Sequence, residues 1–108
     1  MDMVKRFDVY WVNLNPTVGA EINKIRPCVV ISPDEMNRAL DTVIIAPLTS
    51  TIRSYPSRIT VDVTGKTGQI CLDQLRTVDQ DRLYKKISTL EQAVRADLCD
   101  VLLEMFEL

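Results

Sequence analysis

Histidine is absent from this chain. That absence removes the commonest general acid and base, every Ser–His or Cys–His nucleophile pair, and most zinc sites. Glycine is scarce. Gly19, Gly65 and Gly68 fit neither a phosphate-binding loop nor a dinucleotide fingerprint, so an enzyme built on this chain is expected to use no nucleotide cofactor and no metal. Asp79-x-Asp81 reads as helix capping ahead of Arg82-Leu83 rather than as a hard-cation site. The cysteines, Cys28, Cys71 and Cys99, are odd in number, widely spaced and set among apolar neighbours. They predict reduced core thiols in a cytoplasmic protein, not a disulfide frame. No apolar run approaches the ~20 residues of a membrane span, and the opening Met1-Asp2-Met3-Val4-Lys5-Arg6 lacks the apolar core and cleavage site of a secretory signal.

What is present is an ordinary globular composition over 108 residues, which predicts one domain spanning 1–108. Charge is uneven. Residues 1–86 carry 12 Lys and Arg against 10 Asp and Glu, whereas residues 87–108 carry Arg95 alone against five acids. An acidic terminal segment on a mildly basic body excludes a general DNA-coating protein. Any nucleic acid is expected to meet a few placed cations.

Strands are expected at 8–14, 27–32, 43–47, 58–63, 69–73 and 84–87, from their β-branched content and alternation. The apolar second strand should be buried on both faces. Pro47 should end the third, and 64–68 should form a turn. Ser32-Pro33-Asp34-Glu35 predicts a short helix to about Leu40. Ser88-Thr89-Leu90-Glu91 matches a capping box opening an amphipathic helix over 89–106, with Leu90, Val94, Leu98, Val101, Leu102 and Met105 on one face. The fold class is mainly β: a small, strongly curved antiparallel barrel with a short internal helix and a C-terminal helix.

The most informative stretch is Gly19 to Pro27, a polar loop that passes through Arg26-Pro27 into the apolar Cys28-Val29-Val30-Ile31. It sets a five-donor, permanently charged side chain at the mouth of a sheet, either as a clamp on a carboxylate or as a grip on a phosphate. Thr49, Ser50, Glu21 and Asp73 sit likewise at strand ends or in loops. Taken singly, Arg26 reads as a surface ion-pair partner, Thr49 and Ser50 as turn hydroxyls, and Asp73 as a cap on the next turn. Loops 16–25 and 49–57 are candidate base-contacting segments: Tyr55 offers either a stacking face or loop packing, and Lys24, Arg53 and Arg76 are candidate phosphate contacts.

Four separated blocks resemble the MazF/PemK toxin family: Asp-Val-Tyr-Trp-Val-Asn-Leu-Asn-Pro-Thr-Val-Gly-Ala-Glu at 8–21, Arg-Pro-Cys-Val-Val-Ile-Ser at 26–32, Ala-Pro-Leu-Thr-Ser at 46–50 and Asp-Gln-Leu-Arg-Thr-Val-Asp at 73–79. The resemblance implies an SH3-like barrel, a homodimer, and the toxin half of a bacterial toxin–antitoxin pair that cuts single-stranded RNA without metal. It implies an antitoxin whose acidic, disordered tail covers the RNA groove. It carries the catalytic arginine onto Arg26, the threonine onto Thr49, the first-loop glutamate onto Glu21 and the acid of the Asp-Gln block onto Asp73, beside Gln74. Glu21 is then either the base at the 2′-hydroxyl or the group that positions Arg26. Three positions depart from the family pattern: Phe7 stands where glycine is usual, Thr17-Val18 where some members have histidine, and Cys71 where some have arginine. Two other classes share the barrel: gyrase-binding toxins of the CcdB type, and an RNA-binding barrel without catalysis.

Overall fold

The computed structural model describes residues 3–108. Met1 and Asp2, where the search for a leader begins, lie outside the described residues. Seven strands form one wholly antiparallel, curled sheet: β1 (Asp8–Asn13), β2 (Ile25–Val30), β3 (Thr42–Thr49), β4 (Arg58–Val63), β5 (Lys66–Cys71), β6 (Arg76–Asp79) and β7 (Leu83–Thr89). Two helices accompany them, α1 (Asp34–Ala39) and α2 (Gln92–Phe106). The strand order is β4-β5-β3-β2-β1-β7, with β6 also paired to β3. The expected curved barrel with a short internal and a C-terminal helix is therefore observed, as an open half-barrel. Among the described residues no helix is long and apolar enough to cross a membrane.

The period of two along β1, β2 and β3 builds two cores, one on each side of the sheet. Val9, Val29, Ala46 and Leu48 belong to one cluster with Ile70, Leu72 and Leu98. Tyr10, Val12, Cys28, Val30 and Ile45 belong to the other with Leu14, Val78 and Leu83. The expected two-faced burial of the second strand follows directly. Helix α2 docks on the first core through Leu98, with Val94, Val101 and Leu102 partly buried around it. Met105, expected on that buried face, is 37% exposed, and Leu103 and Phe106 are largely exposed.

Several boundaries differ from expectation, and both prolines explain why. Strand β3 runs through Pro47 to Thr49. Its outer edge pairs with β6 at Thr42–Ile45 and with β5 at Leu48–Thr49. Ala46 and Pro47 fall at the exchange of partners, where no ladder N–H is required on that edge. Strand β2 begins at Ile25, two residues early, with Pro27 opposite Trp11. Its pairing to β3 starts only at Cys28, so Pro27 faces an unpaired edge there. The turn of the β4–β5 hairpin is Thr64-Gly65 alone, both at positive φ (51° and 82°), as a two-residue type I′ connection needs.

The capping box does not form. Ser88 and Thr89 are strand residues of β7, and the Thr89 hydroxyl donates to Asp8 Oδ1 at 3.0 Å, so α2 starts later with Glu91 at its N-cap and no side-chain cap. Ser32 also serves elsewhere: its hydroxyl donates to Asn37 Oδ1 at 2.5 Å and accepts from the Ile44 amide at 3.0 Å.

Cys28 and Cys71 meet the expectation of core thiols, and Cys99 departs from it. Cys28 and Cys71 are buried and Cys99 is half-buried, all unbridged. Burial pushes the Cys28 thiol up to about 12, against the opposing pull of Arg76 and Arg26, and raises Cys71 for the same first reason. Thiolate is the reactive form. Titration of the folded protein with a disulfide reagent near pH 8 should therefore modify Cys99 at most, and Cys28 and Cys71 only after denaturant. Rapid reaction of two or more thiols in the native protein would contradict this burial.

Candidate active site

Arg26 lies in β2 and Thr49 ends the neighbouring strand β3. Cys28 pairs with Pro47, Val29 with Ala46 and Val30 with Ile45. Beyond Cys28 the two strands share no further rung, and Arg26 and Thr49 follow on either side of that opening. Both line a cleft of about 330 Å³. One wall comes from β1, β2 and β3, the other from the β4–β5 hairpin around Thr64 and Gly68. Lys24, Arg26 and Lys66 supply positive charge to the cleft, and no carboxylate lines it.

The Arg26 guanidinium is oriented but not neutralised. Its Nε donates to the Asn23 carbonyl at 2.9 Å, and among the described residues it has no salt-bridge partner. Its terminal nitrogens have no hydrogen-bond acceptor among the described residues. The carboxylate-clamp alternative therefore fails. Thr49 Oγ1 accepts from the Thr51 amide at 3.2 Å. That contact uses a lone pair and leaves the hydroxyl proton free to donate into the cleft. Gly68 is needed beside it: a Cβ there would lie 3.0 Å from the Thr49 carbonyl oxygen.

The other sequence-derived residues divide. Ser50 and Lys24 line the same cleft as Arg26 and Thr49. Glu21, Asp73, Gln74 and Arg76 line a second cavity of about 370 Å³, reached on the far side of Pro47. Arg53 and Tyr55 line neither.

Glu21 is tied to its own turn, its carboxylate accepting from the Val18 amide at 2.7 Å. Gln74 accepts from the Ile22 amide at 2.8 Å, and Arg76 donates to the Leu14 carbonyl at 2.7 Å. These residues hold the 14–25 loop that delivers Arg26. Asp73 is engaged in a paired contact with Arg58, at 2.7 and 3.1 Å, and also accepts from Ser57 at 2.9 Å. The Tyr55 ring lies 5.0 Å from the same Arg58 guanidinium and is 51% exposed.

Three residues escaped the sequence reading. Trp11 is 41% exposed in a strand whose neighbours Tyr10 and Val12 are buried, and it lines the cleft. Alternation gave no signal for it, since it sets Trp11 on the same face as the fully buried Val9. Lys66 lies in β5 and not in a turn, and Gln69 is a buried polar residue of the same strand. Among the described residues no three His, Cys, Asp or Glu side chains group as metal ligands.

Asp73 gives this site a pH signature. The Arg58 hydrogen bond, aided by Ser57, holds its carboxyl below the usual range. A depressed carboxyl contributes stability that is present above its unfolded value of about 3.9 and is lost as pH falls through the folded value. Replacing Asp73 with Asn should lower the melting temperature by a few degrees near neutrality, on the order of 1 kcal/mol for a partly exposed pair. Melts in steps down to pH 3 should show that gap closing below about pH 4. A gap constant with pH would deny the ion pair its role.

Over residues 5–106 the chain matches the family described as the PemK-like, MazF-like toxin of type II toxin–antitoxin systems. It is 38% identical over 95 residues to Endoribonuclease EndoA of Bacillus subtilis, covering 82% of each chain. It is 36% identical over 94 residues to Endoribonuclease MazF of Staphylococcus saprophyticus, covering 82% of this chain and 78% of that one. Among solved structures, MazF from Deinococcus radiodurans superposes with a TM-score of 0.87 at 24% identity, over the whole of both chains. A mycobacterial endoribonuclease in complex with its cognate antitoxin gives 0.82 at 22% identity, over 97% of this chain and 96% of that one.

Proposed function

We propose that this chain, which belongs to the PemK-like, MazF-like toxin family of type II toxin–antitoxin systems, cuts single-stranded RNA in the cleft that Arg26 and Thr49 line. Its relatives at 36–38% identity are named endoribonucleases, and the chain is a toxin with that activity. The observation that carries the site assignment is the unpaired guanidinium of Arg26 in a cleft that no carboxylate lines.

RNA brings its own nucleophile. The 2′-hydroxyl attacks the adjacent phosphorus, the bond to the 5′-oxygen breaks, and the products are a 2′,3′-cyclic phosphate and a 5′-hydroxyl. The extra negative charge builds on the non-bridging oxygens of a five-coordinate phosphorus. The two terminal nitrogens of Arg26 match that charge with parallel hydrogen bonds, and the Thr49 proton supplies a third that orients the phosphate. The proton released by the 2′-hydroxyl is taken up at the Arg26 guanidinium as another of its N–H protons passes to the leaving 5′-oxygen, so the guanidinium ends with its starting charge. No metal is required, since the guanidinium supplies the positive charge.

Glu21, bonded to its own turn, acts on this site by shaping the loop whose Asn23 carbonyl aims Arg26. Ser50, Lys24 and Lys66 extend the contact along the strand. Trp11 offers a base an exposed aromatic face. Arg53, Tyr55, Asp73, Gln74 and Arg76 support the two flanking loops, and cleavage is selective for short sequences.

The unit is residues 1–108, acting in the cytoplasm as a homodimer. Its inhibitor is a cognate antitoxin with an acidic, disordered tail, matched to the cations of the cleft.

Purified protein should cut single-stranded RNA in EDTA, and Arg26→Ala should lower kcat by about 10²-fold or more. Glu21→Gln should retain most of the rate. A 2′-deoxy nucleotide at the cut should abolish cleavage, and continued cutting of that substrate would reject the chemistry. Gly68→Ala, whose Cβ meets the Thr49 carbonyl, should lower kcat about tenfold through misplacement with little change in far-ultraviolet circular dichroism. A normal rate in that variant would show that the close approach of Gly68 to the Thr49 carbonyl is not needed for cleavage.

A further inference from the structure

Gln69 sits in β5 between β3 and β4, opposite Thr49 on one side and Thr60 on the other. It is only 4% exposed, so its carboxamide must find partners inside the protein. It finds three. Oε1 accepts from the Arg53 amide at 3.0 Å, while Nε2 donates to the Arg53 carbonyl at 3.0 Å and to Thr60 Oγ1 at 3.2 Å. The amide orientation is thereby fixed, because an N–H must meet oxygen and a carbonyl must meet nitrogen. Arg53 lies in the middle of the 50–57 loop, which begins beside Thr49 and has no strand partner. One side chain thus gives that loop the pair of bonds that a neighbouring strand residue would give.

We propose that Gln69 is a positioning residue for RNA binding, holding the 50–57 loop by both backbone groups of Arg53 so that the loop and Thr49 present one fixed edge to the substrate. This rests on the reading of the cleft as the RNA site. Gln69 does not touch the reacting phosphate; it acts through Arg53. The two bonds are complementary in sense, one accepted and one donated, and this makes the role separable from mere bulk. Leucine keeps the volume and loses both bonds. Glutamate keeps the acceptor but, when ionised, turns an oxygen toward the Arg53 carbonyl. Once protonated, it regains a donor.

The test uses the full chain and a short single-stranded RNA that it cuts. Gln69→Leu should raise KM about tenfold, the worth of two net hydrogen bonds, with kcat changed less than about twofold. The Arg53 amide should lose its protection from hydrogen exchange. Gln69→Glu should resemble the leucine variant at neutral pH and recover toward wild type as pH falls, read as the ratio of kcat/KM between variant and wild type at each pH. A wild-type KM in Gln69→Leu, or a ratio flat with pH in Gln69→Glu, would overturn the proposal. If the leucine variant does not fold, Gln69→Glu and its Arg53 exchange decide. If the wild type cuts no RNA, the cleavage reading itself has failed, and unaltered Arg53 protection in both variants would separately exclude the loop contact.

Discussion

Strand β3 must serve two partners along one edge, and its transfer from β6 to β5 opens the molecule where the chemistry is expected. A single partner along the whole edge would continue one sheet. Instead, β6 leaves after pairing with Ile45 and β5 joins at Leu48. Proline suits the interval because it has no N–H to leave unsatisfied. The end of β3 then stands between two cavities, with Pro47 lining one and Leu48 and Thr49 the other. The second proline acts in the same manner on β2, where pairing to β3 stops before Pro27 and leaves Arg26 beyond the last shared rung. Two prolines, each lacking a ladder N–H, thus mark where the sheet separates.

The arginines divide between scaffold and cleft. Arg58 is held by Asp73, Arg76 donates to the Leu14 carbonyl, and Arg82 donates to the Asn15 carbonyl at 2.6 Å. Arg95 donates to the Leu90 carbonyl at 2.8 Å. Each uses its planar fork to close a loop onto a strand or helix end, with the positive charge held in place by oxygen acceptors. Arg26 gives one N–H to its own loop and retains two nitrogens for something outside the chain. The toxin's net charge of −2 is thus compatible with an anionic substrate: what matters is the local sign of a cleft lined by Lys24, Arg26 and Lys66.

The strand cores were legible because period-two burial is a local property. Val9/Tyr10, Val29/Val30 and Ile45/Ala46 divide their side chains between two clusters as alternation demands. Arg26 and Thr49 were marked by an Arg-Pro step and a strand end, and both line the cleft. Properties decided by distant partners were not legible. The Ser88–Glu91 box has the letters of a helix start, but Asp8 in β1 takes the Thr89 hydroxyl and extends β7 instead. Pro27 and Pro47 looked like strand limits because the missing partners that make them tolerable appear only in the assembled sheet. Gln69 looked like any polar strand residue, since Arg53 lies 16 positions away. Asp73 had the family position of a site acid, yet its two oxygens are occupied by Arg58 and Ser57.

Phe7 shows how a departure from the family pattern is accommodated. Its φ is +73°, in the left-handed region where glycine is at ease and an aromatic residue is strained by roughly 1–2 kcal/mol. The backbone cannot relax there, because the Phe7 amide donates to the Val30 carbonyl at 2.8 Å and the Phe7 carbonyl accepts from the Leu90 amide at 3.0 Å. One residue therefore joins the end of β2 to the approach of α2. Glycine would satisfy this backbone without strain but would bring no side chain. Phenylalanine brings a ring that the guanidiniums of Arg6 and Arg95 approach to 5.0 and 5.4 Å. Such contacts contribute on the order of 0.5–1 kcal/mol each at exposed sites and more when desolvated, which is comparable to the strain. The ring also covers Arg6, whose buried Nε has no hydrogen-bond partner among the described residues. Here the aromatic contacts offset the backbone conformation, and Arg95 links them to the first turn of the helix that closes the first core.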